Sequence, residues 1–122
     1  LRIKPEYAKA AANYARLRLA QGDVAGAVDL AARAVLPGSL PDRGERIPAW
    51  FKGHIAELRK IARDKAASPR LRGGAIAFLV ALRAKGARKM LGGSKSDPGR
   101  AEALKVARTM LDLWGIPDTE SH

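Results

Sequence analysis

Helix-breaking residues divide this chain at intervals that suit α-helices and little else. Gly22-Asp23, Pro37-Gly38, Ser68-Pro69, Gly92-Gly93, Asp97-Pro98 and Gly115 with Pro117 separate stretches in which apolar or small residues recur every three or four positions. Pro5 suits a first helical turn and Gly22 a left-handed cap, predicting a helix over 5–21 that carries Tyr7, Ala11, Tyr14, Leu17 and Leu19. Asp23 is a good N-cap for a second helix over 24–36, with Ala27, Leu30, Ala31, Ala34 and Val35 on one face. The stretch PGSLPDRGER, Pro37 to Arg46, is dense in Pro, Gly and charge and predicts the longest loop, over 37–47. A third helix is expected over 48–67, its apolar face made of Phe51, Ile55, Leu58, Ile61 and Ala62. Ser68 before Pro69, and Asp97 before Pro98, are cap-then-proline signals that start helices over 69–91 and 98–114. The tail over 115–122 is expected to fray. The expected fold is all-α: a single compact bundle of about five helices.

Composition agrees with that pattern. The 122 residues have the length of one domain, and the apolar fraction of 47% is largely alanine with only 5% aromatics, which suits closely packed helices better than sheets. There is no cysteine, so disulfides, thiolate nucleophiles and cysteine-held metals are excluded. Residues 1–30 contain no apolar leader segment, and a cytoplasmic location is the expectation. The charge-free apolar run of the fourth predicted helix, Ala75 to Leu82, is far shorter than the roughly 20 apolar residues that span a bilayer, so no membrane partner is expected.

Charge narrows the function. The net charge is +11, and between Arg59 and Ser96 stand eleven Lys or Arg against one acid, Asp64. A domain this basic attracts phosphate backbones through its summed field. Within Ser68 to Met90 six cations flank an apolar run: on a helical wheel Phe78, Leu82, Leu79, Met90, Ile76 and Val80 sweep roughly 200°, the arc of a helix packed against several neighbours. Arg70, Lys85 and Arg88 cluster on the opposite side, while Arg83 falls inside the apolar arc and must snorkel outward or meet a carboxylate. Candidate nucleic-acid contacts are therefore Arg70, Arg72, Lys85, Arg88, Lys89 and Lys95, acting on the backbone in a sequence-tolerant, salt-sensitive way. Gly73-Gly74 costs about 1 kcal/mol per residue relative to Ala in a helix, which implies close helix packing, a frayed helix start, or close approach to a phosphate flanked by Arg70 and Arg72.

Little here points to a reaction. His54 and His122 are the only histidines, and His54 has Glu57 one turn on but no nucleophile with recognisable context. No metal-ligand spacing or cofactor motif occurs, so no enzymatic activity and no cofactor are expected. GGSKS, Gly92 to Ser96, departs from the phosphate-loop pattern because Ser94 precedes Lys95 and no strand leads into it. A helix-turn-helix is a poor match, since the fourth predicted helix spreads its apolar residues too broadly to expose a base-reading face. Trp50 and Phe51 follow the basic loop and either stack on a base or seal the end of the bundle.

Two resemblances add to this reading. In LAQGDVAGAVDLAARAVLP, the Gly22-Asp23 turn with Ala27 and Ala34 resembles one tetratricopeptide hairpin, although Pro37 comes two residues early, Arg18 replaces an expected aromatic and no second copy follows. RIPAWFKG, Arg46 to Gly53, RGGAIAFLVALRAKG, Arg72 to Gly86, and the closing Leu113-Trp114 are similar in flavour to helices of the small subunits of CRISPR effector complexes. That resemblance implies a non-enzymatic, all-helical subunit present in several copies that lines a guide–target path; no individual residue carries over. Alternatives are a tetratricopeptide-like adaptor for an acidic protein and a small terminase-type DNA-packaging subunit.

Overall fold

The computed structural model describes residues 5–35, 46–90 and 97–116. Six α-helices occur there and no strand: α1 Pro5–Ala20, α2 Val24–Val35, α3 Arg46–Ala49, α4 Ile55–Arg63, α5 Pro69–Ala81 and α6 Pro98–Leu113. Short 3-10 turns, Lys52–His54 and Ala87–Met90, follow α3 and α5. The all-α bundle expected from the sequence is what forms.

Each start signal acts through a hydrogen bond. Asp23 Oδ1 accepts from Gly26 N–H at 2.9 Å, Ser68 Oγ from Leu71 N–H at 3.1 Å, and Asp97 Oδ1 from Gly99 N–H at 2.9 Å. These bonds satisfy amide donors that the first turn of a helix leaves without partners. Pro69 and Pro98 take first-turn positions where no amide hydrogen is needed.

Helix ends obey one rule in three places. Gly22 closes α1 at φ +82°, and Gly115 closes α6 at φ +69°. In each the next amide reaches back five residues: Asp23 N–H to Arg18 C=O and Ile116 N–H to Leu111 C=O, both at 2.9 Å. The third case corrects the expected helix over 69–91. α5 ends at Ala81 with the same motif, Ala84 N–H to Leu79 C=O at 2.9 Å and Arg83 N–H to Val80 C=O at 3.0 Å, and the left-handed residue is Arg83 at φ +60°. An arginine there gives no glycine signal to read.

The expected helix over 48–67 is also divided. α3 begins at Arg46, inside the predicted loop, with Pro48 in its first turn and Ile47 buried. The helical path breaks at Trp50-Phe51 and resumes as a 3-10 turn containing Gly53 before α4. α4 stops at Arg63 because Asp64 turns extended, at ψ +104°, and its Oδ1 accepts from Ala66 N–H at 2.9 Å. Residues 36–45, most of the predicted loop, and 117–122 of the tail lie outside the described residues.

α5 is the axis of the molecule. It packs against α2, α4 and α6, while α1 lies along α2. Every residue from Arg72 to Leu79 is buried, so the helix is enclosed all round and not along one arc. Gly73 and Gly74 make this possible. A Cβ on Gly73 would collide with the Ala103 carbonyl and lie 2.7 Å from Val106 Cβ, and one on Gly74 would lie 2.9 Å from Val28 Cγ1. The pair therefore marks where α6 and α2 both close on α5, which decides for close packing. At the other end Phe51 stacks on Phe78, with ring centroids 4.1 Å apart, and Phe78 meets Trp114 at 5.3 Å. Each such aromatic pair contributes about 0.5–1.5 kcal/mol beyond its buried area.

Candidate nucleic-acid interface

The acids of α2 and of the α6 start are already engaged. Asp29 accepts from Arg70 Nε at 2.9 Å through Oδ1 and faces Arg33 Nε at 3.0 Å through Oδ2. Asp23, besides capping α2, meets Arg18 at 3.3 Å. Arg70, named from the sequence as a phosphate contact, is thus half-buried and tied from α5 to α2. It shares the one Asp29 carboxylate with Arg33.

Arg72 requires a correction. The residue is 3% exposed, the only buried charged residue among those described. Nε donates to Ala67 C=O at 3.1 Å, and Nη1 lies 3.8 Å from Asp97 Oδ2. A Cβ on Gly99 would strike its guanidinium. Arg72 therefore joins the turn before α5 to the capped start of α6 and presents nothing to an external polyanion. Burial of an arginine is tolerable only with such partners.

The expectation of a basic strip along the fourth helix fails for the same reason that α5 is buried: an enclosed helix has no surface to charge. The cations lie on its flanks instead. Lys85 and Lys89 are exposed in the segment that follows α5. Arg88 lies in the 3-10 turn of that segment, and Lys95 lies outside the described residues.

α4 supplies cations that the sequence reading passed over. Lys60 and Arg63 are exposed on the side of α4 opposite Leu58 and Ala62, with Lys52 exposed just before the helix and Lys65 just after it. The signal was present in the periodicity of Phe51, Ile55, Leu58, Ile61 and Ala62, which fixes the opposite face by subtraction. With Arg83, Lys85 and Lys89 these make seven exposed cations, and none forms an ion pair among the described residues. Nearby acids are few: Glu57 is exposed with His54 Nδ1 at 3.7 Å, and Asp64 is occupied by its turn.

The two groups of cations lie on neighbouring elements: α4 and α5 run side by side, joined by the short turn 64–68, and α4 also packs on the 87–90 turn. The Phe51–Phe78 stack places the start of α4 beside the later part of α5. Lys52 therefore belongs to the same end of the surface as Arg83, Lys85 and Lys89, while Arg63 and Lys65 belong to the other.

The aromatics do not join this surface. Phe51, Phe78 and Trp114 are buried, and Trp50 is half-buried with the Arg16 guanidinium 5.1 Å from its ring centroid. Tyr14 stands on α1, 60% exposed, next to Leu17 at 53%. Among the described residues no group of His, Asp and Glu is arranged to hold a metal ion, and no helix is long and apolar enough to cross a membrane. No protein-family model, curated protein or solved structure matches the chain.

Proposed function

We propose that this chain is a non-enzymatic, basic helical subunit that binds nucleic-acid backbone within a larger nucleoprotein assembly. One observation carries the reading. Seven outward cations on or flanking α4 and in the 82–90 segment have no ion pairs among the described residues, although Asp23, Asp29 and Asp97 are matched to arginines. Such a surface releases condensed counterions from phosphates and so binds with steep salt dependence and little regard for sequence. The exposed Tyr14 and Leu17 on α1 give a separate apolar surface for neighbouring subunits. Several copies side by side would multiply weak contacts into useful avidity.

Fluorescence anisotropy of labelled nucleic acid across a salt series tests this. If four phosphates are neutralised, the slope of log K against log salt is about −3.6 on duplex DNA. Lys85→Glu with Lys89→Glu should reduce affinity about tenfold or more and leave the helical circular dichroism unchanged. Absence of binding at low salt would refute the proposal and leave an adaptor for an acidic protein as the better account.

A further inference from the structure

We infer that Arg83 is the anchoring contact of the basic surface, kept in a left-handed conformation at a cost in stability; the inference rests on the proposed backbone binding. Three helix ends close on a left-handed residue, and at two of them that residue is glycine, Gly22 and Gly115. Glycine adopts this conformation freely, whereas a Cβ is crowded there by the following carbonyl oxygen. Arg83, at φ +60°, is the one non-glycine residue with positive φ among those described.

The fold itself does not need the arginine side chain. The closing bonds are made by the backbone alone, Arg83 N–H to Val80 C=O at 3.0 Å and Ala84 N–H to Leu79 C=O at 2.9 Å, and glycine would make them equally well. Arg83 is exposed, and its side chain forms no hydrogen bond or ion pair among the described residues. The carbonyl end of α5 favours a nearby cation, but Lys85 stands two residues on and needs no left-handed backbone. Backbone strain with no structural role clusters at sites that grip a ligand.

The place of Arg83 in the chain gives that grip a firm base. Every residue from Pro69 to Leu82 is buried or half-buried, and Arg83 is the first beyond them to be exposed. The most enclosed helix of the fold thus reaches water at a guanidinium. A guanidinium is a planar fork that can hold two phosphate oxygens at once, whereas an ammonium is a point charge on a flexible stem. Of the other six exposed cations of this surface only Arg63 is an arginine; Lys52, Lys60, Lys65, Lys85 and Lys89 are lysines. The lysines supply the field that draws a polyanion in, and Arg83 fixes one phosphate against the end of α5.

Two quantities read on the same variants test this: the urea midpoint, and the affinity for labelled duplex DNA and labelled single-stranded RNA by anisotropy at low salt. Arg83→Gly should raise the midpoint yet weaken the tighter of the two complexes about tenfold or more, and make its salt slope shallower by about 1. Arg83→Lys keeps the charge and the Cβ; it should leave the midpoint in place and weaken binding about threefold or more. Lys85→Gln should also leave the midpoint in place and weaken binding less than about threefold. Parent-like binding by Arg83→Gly, while Lys85→Glu with Lys89→Glu binds weakly, would overturn the anchor and leave backbone binding standing. So would a loss from Lys85→Gln as large as that from Arg83→Gly. An unraised midpoint in Arg83→Gly would overturn the claim that stability is given up at this position. Failure of the parent protein to bind either probe would overturn the backbone reading itself.

Discussion

Replacing Gly73 with alanine sets two effects of opposite sign against each other. In an open helix the change stabilises by about 0.5–1 kcal/mol, because glycine loses more backbone freedom on folding. At position 73 the new methyl would meet the carbonyl oxygen of Ala103, with Val106 Cβ at 2.7 Å and Cγ1 at 2.9 Å. Neither neighbour yields cheaply: the carbonyl is fixed in α6 by the helix ladder, and valine is restricted at χ1. α5 and α6 must separate, and overpacking of this kind costs about 1–3 kcal/mol or more. Set against the helix gain, the net loss should be on the order of 1–2 kcal/mol, a fall in melting temperature of roughly 3–10 °C for a domain of this size. Urea unfolding followed by circular dichroism measures it, with a lowered midpoint and an unchanged m-value as the expected result. Gly53→Ala is the internal control. Its Cβ would meet nothing within 4 Å, so it should be neutral or stabilising by up to about 1 kcal/mol. A Gly73→Ala protein as stable as the parent would show that the interface can relax and that the glycine pair does not mark a close crossing.

Three other substitutions separate structural from binding roles. Arg72→Ala should destabilise by about 2–4 kcal/mol through a cavity and lost hydrogen bonds, yet leave nucleic-acid affinity unchanged well below its melting temperature; an affinity loss in the folded protein would return Arg72 to the interface. Arg83→Gly should stabilise by about 1 kcal/mol by relieving the left-handed backbone, read as a raised urea midpoint. Trp114 is buried, and its Nε1 finds no acceptor among the described residues. Trp114→Phe should therefore cost less than about 1.5 kcal/mol in thermal unfolding, whereas Trp114→Ala should cost about 3–5.

The sequence made the helix starts legible because each is written in a residue with a short-range job. Asp23, Ser68 and Asp97 bond within three residues of themselves, so no tertiary knowledge is needed to place them. Ends were legible at Gly22 and Gly115 and hidden at Arg83, where a residue with no turn preference adopts the same geometry. The candidate interface was half legible. Its charge, and the exposed Lys85 and Lys89, followed from composition and local pattern. Arg72 did not, because periodicity says nothing about whether a guanidinium will meet a carbonyl five residues back and a carboxylate at the start of another helix. The contribution of α4 went unread because the most conspicuous cation-rich stretch was the one that the fold encloses.

That enclosure also sets the order in which the molecule comes apart. α5 is held by α2, α4 and α6, so its amides should exchange with solvent only when the whole domain opens. α1 rests on α2 with Ala15 and Leu19, helped by Arg16 over Trp50, and keeps Tyr14 and Leu17 in water. It has the least to lose by leaving. Brief release of α1 would uncover an alanine- and valine-lined face of α2 while α5 and the basic surface stayed intact. The α1 side of the protein can thus loosen without disturbing the side that carries the exposed cations.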